Sequence, residues 1–445
     1  MPPMNKCVLS ALCFLCFSSF AWTQETFQFT TAKKKQRLTF ELINNLIVIP
    51  VRVNGVELSF LLDSGVNSTL LFNNSNVNQL HFEDKTAFQV TGFGRDDSVT
   101  AYLTEGNTIQ IKNIAATAES ILLLEEDNFE FSKRMGAQID GIIGYRLLEP
   151  FLVTINYSEG FLLFQSPEHR SAKKCRTCDV LDLELFQNKP YISVTVQQND
   201  TLHIKGNALL DTGSSDALWL LEKKNDVVAI PPYFDDFLGR GINGNIYGKR
   251  GKIKELSFGK SRFSGVKVAY PDPSAFDKIR IIENRIGSVG GELLKRYKVI
   301  FDYRHKKLYL KPNRLTHAPF YYNMSGLSIQ HKGMALNKIR TTNAFGVQQN
   351  GEDYGTAIEI HLNPQFRIEL IPVYEIFEVR ECSPAAQAGI RKGDELYRIN
   401  GRKISLMKLN QINELFQKKP GHPIRMEVRR NGKILKYNFV LQPLF

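Results

Sequence analysis

Leu61-Leu62-Asp63-Ser64-Gly65 and Leu209-Leu210-Asp211-Thr212-Gly213 carry one message twice: two apolar residues, an Asp, a hydroxyl residue and a Gly. The apolar pair suits a buried strand, and the Gly lets the chain turn sharply just after the carboxylate. Taken singly, Asp-Ser-Gly is an ordinary turn tripeptide. A second pair of blocks changes that reading. Gly141-Ile142-Ile143-Gly144-Tyr145-Arg146-Leu147-Leu148 is echoed by Gly287-Ser288-Val289-Gly290-Gly291-Glu292-Leu293-Leu294, and Val153-Thr154-Ile155-Asn156-Tyr157 by Val299-Ile300-Phe301-Asp302-Tyr303. The offset is 148 residues at the Asp and 146 at the second block, the mark of an internal duplication. Two carboxylates held a few ångströms apart cannot both ionise comfortably, so Asp63 and Asp211 would share a proton and serve as base and acid together.

On these residues the chain resembles aspartic proteases of the retropepsin and pepsin type, whose lobes carry an Asp-Thr/Ser-Gly turn followed by an apolar-apolar-Gly strand that threads beside it. The matching positions are Ile142-Ile143-Gly144 and Ser288-Val289-Gly290; Ser288 departs from the apolar preference, and Val66 stands where the second copy has Ser214. The resemblance implies a mainly β fold in which two duplicated retropepsin-like lobes form a pepsin-like bilobal protease, active as a monomer on a peptide or protein substrate. It implies Asp63 and Asp211 as the catalytic pair, supported by Ser64, Gly65, Thr212, Gly213 and Ser214, with no metal or cofactor. Ser64 and Thr212 are expected to hydrogen-bond near the carboxylates and hold them coplanar. The missing hydroxyl at Val66 predicts unequal titration, with Asp211 the more readily ionised.

Such a site also needs something to close over it, and Phe88 to Leu103 reads as a hairpin with Gly92, Phe93 and Gly94 as its flap. Gly239-Arg240-Gly241-Ile242-Asn243-Gly244 occupies the equivalent place in the second copy. It fits the dinucleotide pattern G-x-G-x-x-G, but Pro231-Pro232 lies upstream and a basic strand-like run downstream, so it reads as a second flap or a loop and implies no nucleotide.

Lys6, the apolar run from Val8 to Phe20, and small residues at Ser19 and Ala21 read as an export signal over residues 1–21, which predicts a periplasmic or extracellular protein. No later stretch approaches the roughly 20 apolar residues of a membrane span. Of the cysteines outside that run, Cys175 and Cys178 could close a small disulfide ring in a linker, and Cys382 reads as a small, partly buried filler. The 57 Lys and Arg against 45 Asp and Glu give a net charge of +12. They are spread along the chain without an aromatic-interleaved groove, which argues against a nucleic-acid partner.

After Pro312 the duplication stops. Ser383-Pro384-Ala385-Ala386-Gln387-Ala388-Gly389-Ile390, then Lys392-Gly393-Asp394-Glu395-Leu396 and Ile399-Asn400-Gly401, resemble the bacterial PDZ domain. Leu406, Leu409, Ile412, Leu415 and Phe416 follow at helical spacing behind Ser405, a candidate N-cap, and a terminal hairpin turns at Asn431-Gly432. The resemblance implies a groove for a C-terminal peptide formed by Ser325, Gly326, Leu327 and Ile329 and the facing helix. On the residues alone, Gly326 can equally be a simple turn. The roughly 45 residues between that loop and Tyr374 exceed what such a core needs, so they cover the groove or extend the sheet.

The segments expected are a signal at 1–21, lobes at 25–168 and 181–313 joined by a linker at 169–180, and a PDZ domain at 320–445 with its core at 370–445. Neither H-E-x-x-H nor G-x-S-x-G occurs. The reading is an aspartic endopeptidase with a PDZ module; its rival is an inactive protease-like scaffold that binds protein C-termini.

Overall fold

The computed structural model describes residues 26–74, 76–82, 85–94, 98–125, 129–169, 175, 177–222, 227–277, 279, 282–341 and 365–443. The expected export signal and the hairpin-tip residues 95–97 lie outside them.

Strands dominate, and their burial explains their composition. Along Val56–Leu62, Leu58, Phe60, Leu61 and Leu62 are all buried, so the strand is covered on both faces and reads as a continuous apolar run. It lies parallel to Gly141–Ile143, with Leu61 opposite Ile142. His203–Asp211 lies likewise parallel to Arg285–Gly290, with Leu209 opposite Ser288 and Asp211 opposite Gly290. A parallel neighbour cannot come from a tight hairpin, so in each half the strand beside the Asp turn arrives from far along the chain. The closing glycines of the echoed blocks make that passage possible. A Cβ at Gly144 would stand 2.0 Å from the Asp63 carbonyl oxygen, and one at Gly290 2.3 Å from that of Asp216.

The two halves repeat one strand order. Leu46–Val53, Val56–Leu62, Gly141–Ile143, Thr69–Phe72, Ile114–Leu124, Val99–Ile111 and Thr86–Val90 correspond to Lys189–Gln197, His203–Asp211, Arg285–Gly290, Leu218–Leu220, Ser261–Pro271, Gly244–Phe258 and Tyr233–Gly241. A six-stranded antiparallel sheet ties them together: Leu152–Asn156 of the first half pairs Tyr297–Asp302 of the second, with Val153 opposite Phe301. Val153, Ile155, Val299 and Phe301 are fully buried in a core that draws on both halves. Each such side chain contributes about 1.5–3 kcal/mol by leaving water. The strand Asp179–Asp182, whose first two residues fall within the expected linker, pairs Lys307–Pro312 in the same sheet, and Cys175 and Cys178 just before it are disulfide-bonded.

The C-terminal unit has its own core, including Leu327, Ile376, Ile399, Ile412, Phe416 and Val428. The segment before Tyr374 extends the sheet: Leu327–Thr341 and Gln365–Val379 pair along their length, from Leu327 opposite Val379 to Thr341 opposite Gln365. The short helix Pro384–Gln387 is capped by the Ser383 hydroxyl, and the hairpin Pro423–Arg430/Lys433–Val440 ends the fold. Three local expectations are corrected. The second helix spans Leu409–Phe416 with Lys408 at its N-cap, because residues 404–406 form a separate 3-10 turn; Ser405 is therefore not the cap. That turn leaves Leu406 exposed rather than on the apolar face. Cys382, at φ +56° in a turn, is a free and exposed thiol, not a filler.

Backbone cannot step aside as a side chain can, so Gly290→Ala should cost roughly 3 kcal/mol or more of unfolding free energy in a urea titration. A loss below about 1 kcal/mol would show that the strand does not thread so tightly against Asp216.

Candidate active site

Asp63 directly follows, and Asp211 ends, a strand whose last apolar residues are buried on both faces, so each position is set by the sheet rather than by a free loop. The Gly65 N–H donates to Asp63 Oδ1 at 2.7 Å and the Gly213 N–H to Asp211 Oδ1 at 3.0 Å. The two carboxyl groups meet at one place: a Cβ on Gly65 would stand 3.0 Å from Asp63 Oδ1 and 3.6 Å from Asp211 Oδ1. A Cβ at Gly213 would stand 2.3 Å from Asp63 Oδ2, so the backbone of one half packs directly on the acid of the other. The hydroxyls behave differently from expectation. Ser64 Oγ donates to the Leu210 carbonyl at 2.6 Å and accepts from the Thr212 N–H at 3.1 Å; Thr212 Oγ1 donates to the Leu62 carbonyl at 2.9 Å and accepts from the Ser64 N–H at 2.9 Å. They bind the opposite turn rather than the carboxylates, and both are buried.

Burial, and then the charge of Asp211, push the Asp63 carboxyl up to about 7, against the smaller lowering effects of the Gly65 N–H and Lys189. Burial also raises Asp211, but the Arg285 guanidinium, the backbone N–H groups of Gly213 and Ser214, and Lys189 all oppose it. Asp211 is therefore the natural holder of the negative charge and Asp63 of the proton. Ser214 acts on Asp211 through its backbone N–H and not through a hydroxyl, and Arg285 was not anticipated. Arg285 begins the echoed strand, but no spacing signals that a charge there faces the acids.

Thr86–Val90 pairs Val99–Ile111, Val90 opposite Val99, and carries Gly92, Phe93 and Gly94 beyond it. Gly239 to Gly244 closes a β-hairpin, Gly241 opposite Gly244 with Ile242-Asn243 at the turn, and a strand rather than a helix follows. The two tips meet. Asn243 Oδ1 accepts from the Gly92 N–H at 2.6 Å and the Asn243 N–H donates to the Phe93 carbonyl at 3.0 Å. Phe93 packs edge-on to Trp219 at 6.1 Å on the second half, while Ile242 packs on the apolar cluster of the first.

Ser325, Gly326, Leu327 and Ile329 lie together at the start of the C-terminal sheet. Gly326 adopts φ +81° and its carbonyl accepts from the Arg380 N–H at 2.8 Å. Two of the amides that a terminal carboxylate would use are engaged internally: Ser325 N–H donates to Asn323 Oδ1 at 3.0 Å and Leu327 N–H to Ser325 Oγ at 3.1 Å. The side chains of Leu327 and Ile329 are buried. A cavity of about 780 Å3 runs from Leu327 to Ile329 and the helix residues Asn410, Asn413 and Glu414 to Asp216, Phe234 and Arg250 of the second half. Among the described residues no cluster of three or more His, Cys, Asp or Glu could hold a metal ion, and no helix is long and apolar enough to cross a membrane.

The aspartyl protease family model matches residues 49–147, the stretch that carries Asp63 and its threading strand. A PDZ domain model matches residues 375–430. The chain combines an aspartyl protease segment with a PDZ domain. Among solved structures it aligns with the crystal structure of an aspartic proteinase from Irpex lacteus at a TM-score of 0.40 and 14% identity, over 64% of this chain and 99% of that one.

The raised Asp63 carboxyl makes stability depend on pH. Its contribution is complete below the ordinary value of 3.8 and is lost as pH rises through about 7, because the unfolded chain gives up the proton first. Asp63→Asn removes that loss. It should gain on the order of 1–3 kcal/mol over wild type at pH 8 and almost nothing at pH 4 in paired denaturation curves. A gain larger at pH 4 would reverse the assignment.

Proposed function

We propose that this protein is an aspartic-type endopeptidase using Asp63 and Asp211 as a shared-proton dyad. The observation that carries the reading is the meeting of two Asp turns, one from each half, cross-linked by Ser64 and Thr212, with both carboxyls beside Gly65 and one of them pushed up to about 7. An extended peptide would lie beneath the Gly92–Gly94 flap. Ionised Asp211 takes a proton from water as its oxygen bonds to the scissile carbonyl carbon, and protonated Asp63 donates to the carbonyl oxygen. Collapse of the tetrahedral species breaks the C–N bond while the amine nitrogen receives a proton from the dyad. One chain supplies both acids, so the monomer suffices. The PDZ domain, whose edge strand and helix line the cavity against the second half, serves peptide recognition or regulation. Export belongs to the same proposal, on the charged-apolar-small pattern of residues 6–21.

Cleavage of a diverse peptide pool tests it. Wild type should cleave, pepstatin should inhibit, and Asp63→Asn and Asp211→Asn should each lose at least about a thousandfold in kcat/KM. The upper limb of the pH profile should fall near 7, where Asp63 loses its proton. Equal behaviour of wild type and both variants would overturn the reading.

A further inference from the structure

The duplication makes the two walls of the cleft comparable position by position. In the first half Leu61, two residues before Asp63, is flanked by Val48 on the antiparallel side and Ile142 on the parallel side. In the second half Leu209, two residues before Asp211, is flanked by Tyr191 and Ser288. Two residues before Val48 stands Leu46, and two before Tyr191 stands Lys189; three before Ile142 stands Ile139, and three before Ser288 stands Arg285. Leu46, Val48, Ile139 and Ile142 belong to one apolar cluster. Their counterparts are Lys189, Tyr191, Arg285 and Ser288. Strand neighbours and residues two apart share a face, and the register shift between Asn207 and Ala208 sets Arg285 opposite Asn207 on that same face. This face looks at the acids: one point, the place of a Cβ on Gly65, lies 3.5 Å from Leu209 Cδ2 and 3.6 Å from Asp211 Oδ1.

Arg285 is fixed there. Its Nη2 donates to Ser288 Oγ at 2.9 Å and its Nε to the Gly287 carbonyl at 3.2 Å, which explains the Ser where an apolar residue was expected. Its guanidinium also lies 5.7 Å from the Tyr191 ring and 5.8 Å from the ring of Phe93 on the flap. Lys189 is half-buried and feels the charges of Asp63, Asp211 and Arg285, yet its ammonium makes no hydrogen bond or ion pair among the described residues. Two cations thus face a dyad that carries one negative charge in its working state. The surplus positive charge sits in a site where an unpaired ion is expensive.

We propose that this wall is an acid-recognising subsite: the cleft takes a Glu or Asp side chain on the side of the scissile bond that faces the second half, and an apolar side chain on the other. The inference rests on Asp63 and Asp211 being the reacting pair. Lys189 supplies the direct contact, and Arg285, already committed to Ser288, supplies field and position. Were the cations there only to hold Asp211 ionised, a substrate carboxylate would gain nothing.

Matched peptide sets test this, each with Glu, its isostere Gln, or Leu at one of the three positions either side of the cleaved bond. A second series carries a secondary alcohol in place of the scissile carbonyl and reads binding by fluorescence anisotropy, with no need for turnover. At one position on one side of the bond, Glu should exceed Gln roughly tenfold or more in kcat/KM and in affinity, the size of one charge-assisted contact. That ratio should shrink in 1 M salt, collapse towards one in Lys189→Leu, and fall below one in Lys189→Glu. Because each ratio is taken within one variant, a general loss of activity does not imitate the result. Equal Glu and Gln affinities at every position in wild type overturn the subsite while leaving proteolysis intact. A Lys189→Leu variant that shifts the pH profile but keeps the ratio also overturns it. Tighter Glu binding without cleavage of any peptide supports the subsite and sinks the peptidase reading instead.

Discussion

The hydroxyls of Ser64 and Thr212 each donate to a carbonyl of the opposite half and accept an amide of the opposite turn. Four buried hydrogen bonds within two turns leave almost no freedom in how the halves meet at the acids. Their strength comes from burial, where water offers no competing partner and any slippage would strand two hydroxyls, two carbonyls and two amides at a cost of about 1–3 kcal/mol each. Everything else at the site is hung on that cross-link. The glycine amides aim the carboxylates, the strands behind Asp63 and Asp211 are buried on both faces and cannot drift, and the six-stranded sheet closes the far side of the junction.

With the geometry fixed, two similar turns become electrically different, chiefly through what lies around them. At the equivalent positions of its own half Asp63 has Leu46, Val48, Ile139 and Ile142; Lys189 acts on both acids, and Arg285 adds to it at Asp211. A duplicated fold can thus set the two copies of one residue apart through neighbouring strands while keeping the Asp-hydroxyl-Gly turn in both. On the proposed reading, specificity and acid-base assignment would come from one set of substitutions, since the cations that favour ionised Asp211 are also those that would meet a substrate carboxylate.

Much of this was legible in the sequence, and the boundary of legibility has a physical logic. The Asp turns, the threading strands and their glycines could be read because backbone geometry restricts them to few residue types, and the offset repeated twice. The PDZ pattern could be read because its short helix and Gly-Asp turn are local. Contacts set by tertiary register could not. Ser64 and Thr212 were placed near the carboxylates because local spacing suggests it, whereas the partner turn lies 148 residues away. Arg285 and Lys189 looked like two of many dispersed cations. Ser405 looked like a cap because nothing local reveals that residues 404–406 form their own turn.

The meeting of the hairpin tips at Asn243 carries a further consequence. In an assembly of two separate chains, the roof over a cleft can be lifted by loosening the subunits. Here the halves are joined by one covalent chain, one shared core and one continuous sheet, so that route is closed. On the proposed reading, a peptide would enter by unlatching Gly92 and Phe93 from Asn243 through bending of the hairpins themselves, and each turnover would break and remake that latch. The door and its frame belong to the same molecule, and the hinge is a pair of β-hairpins.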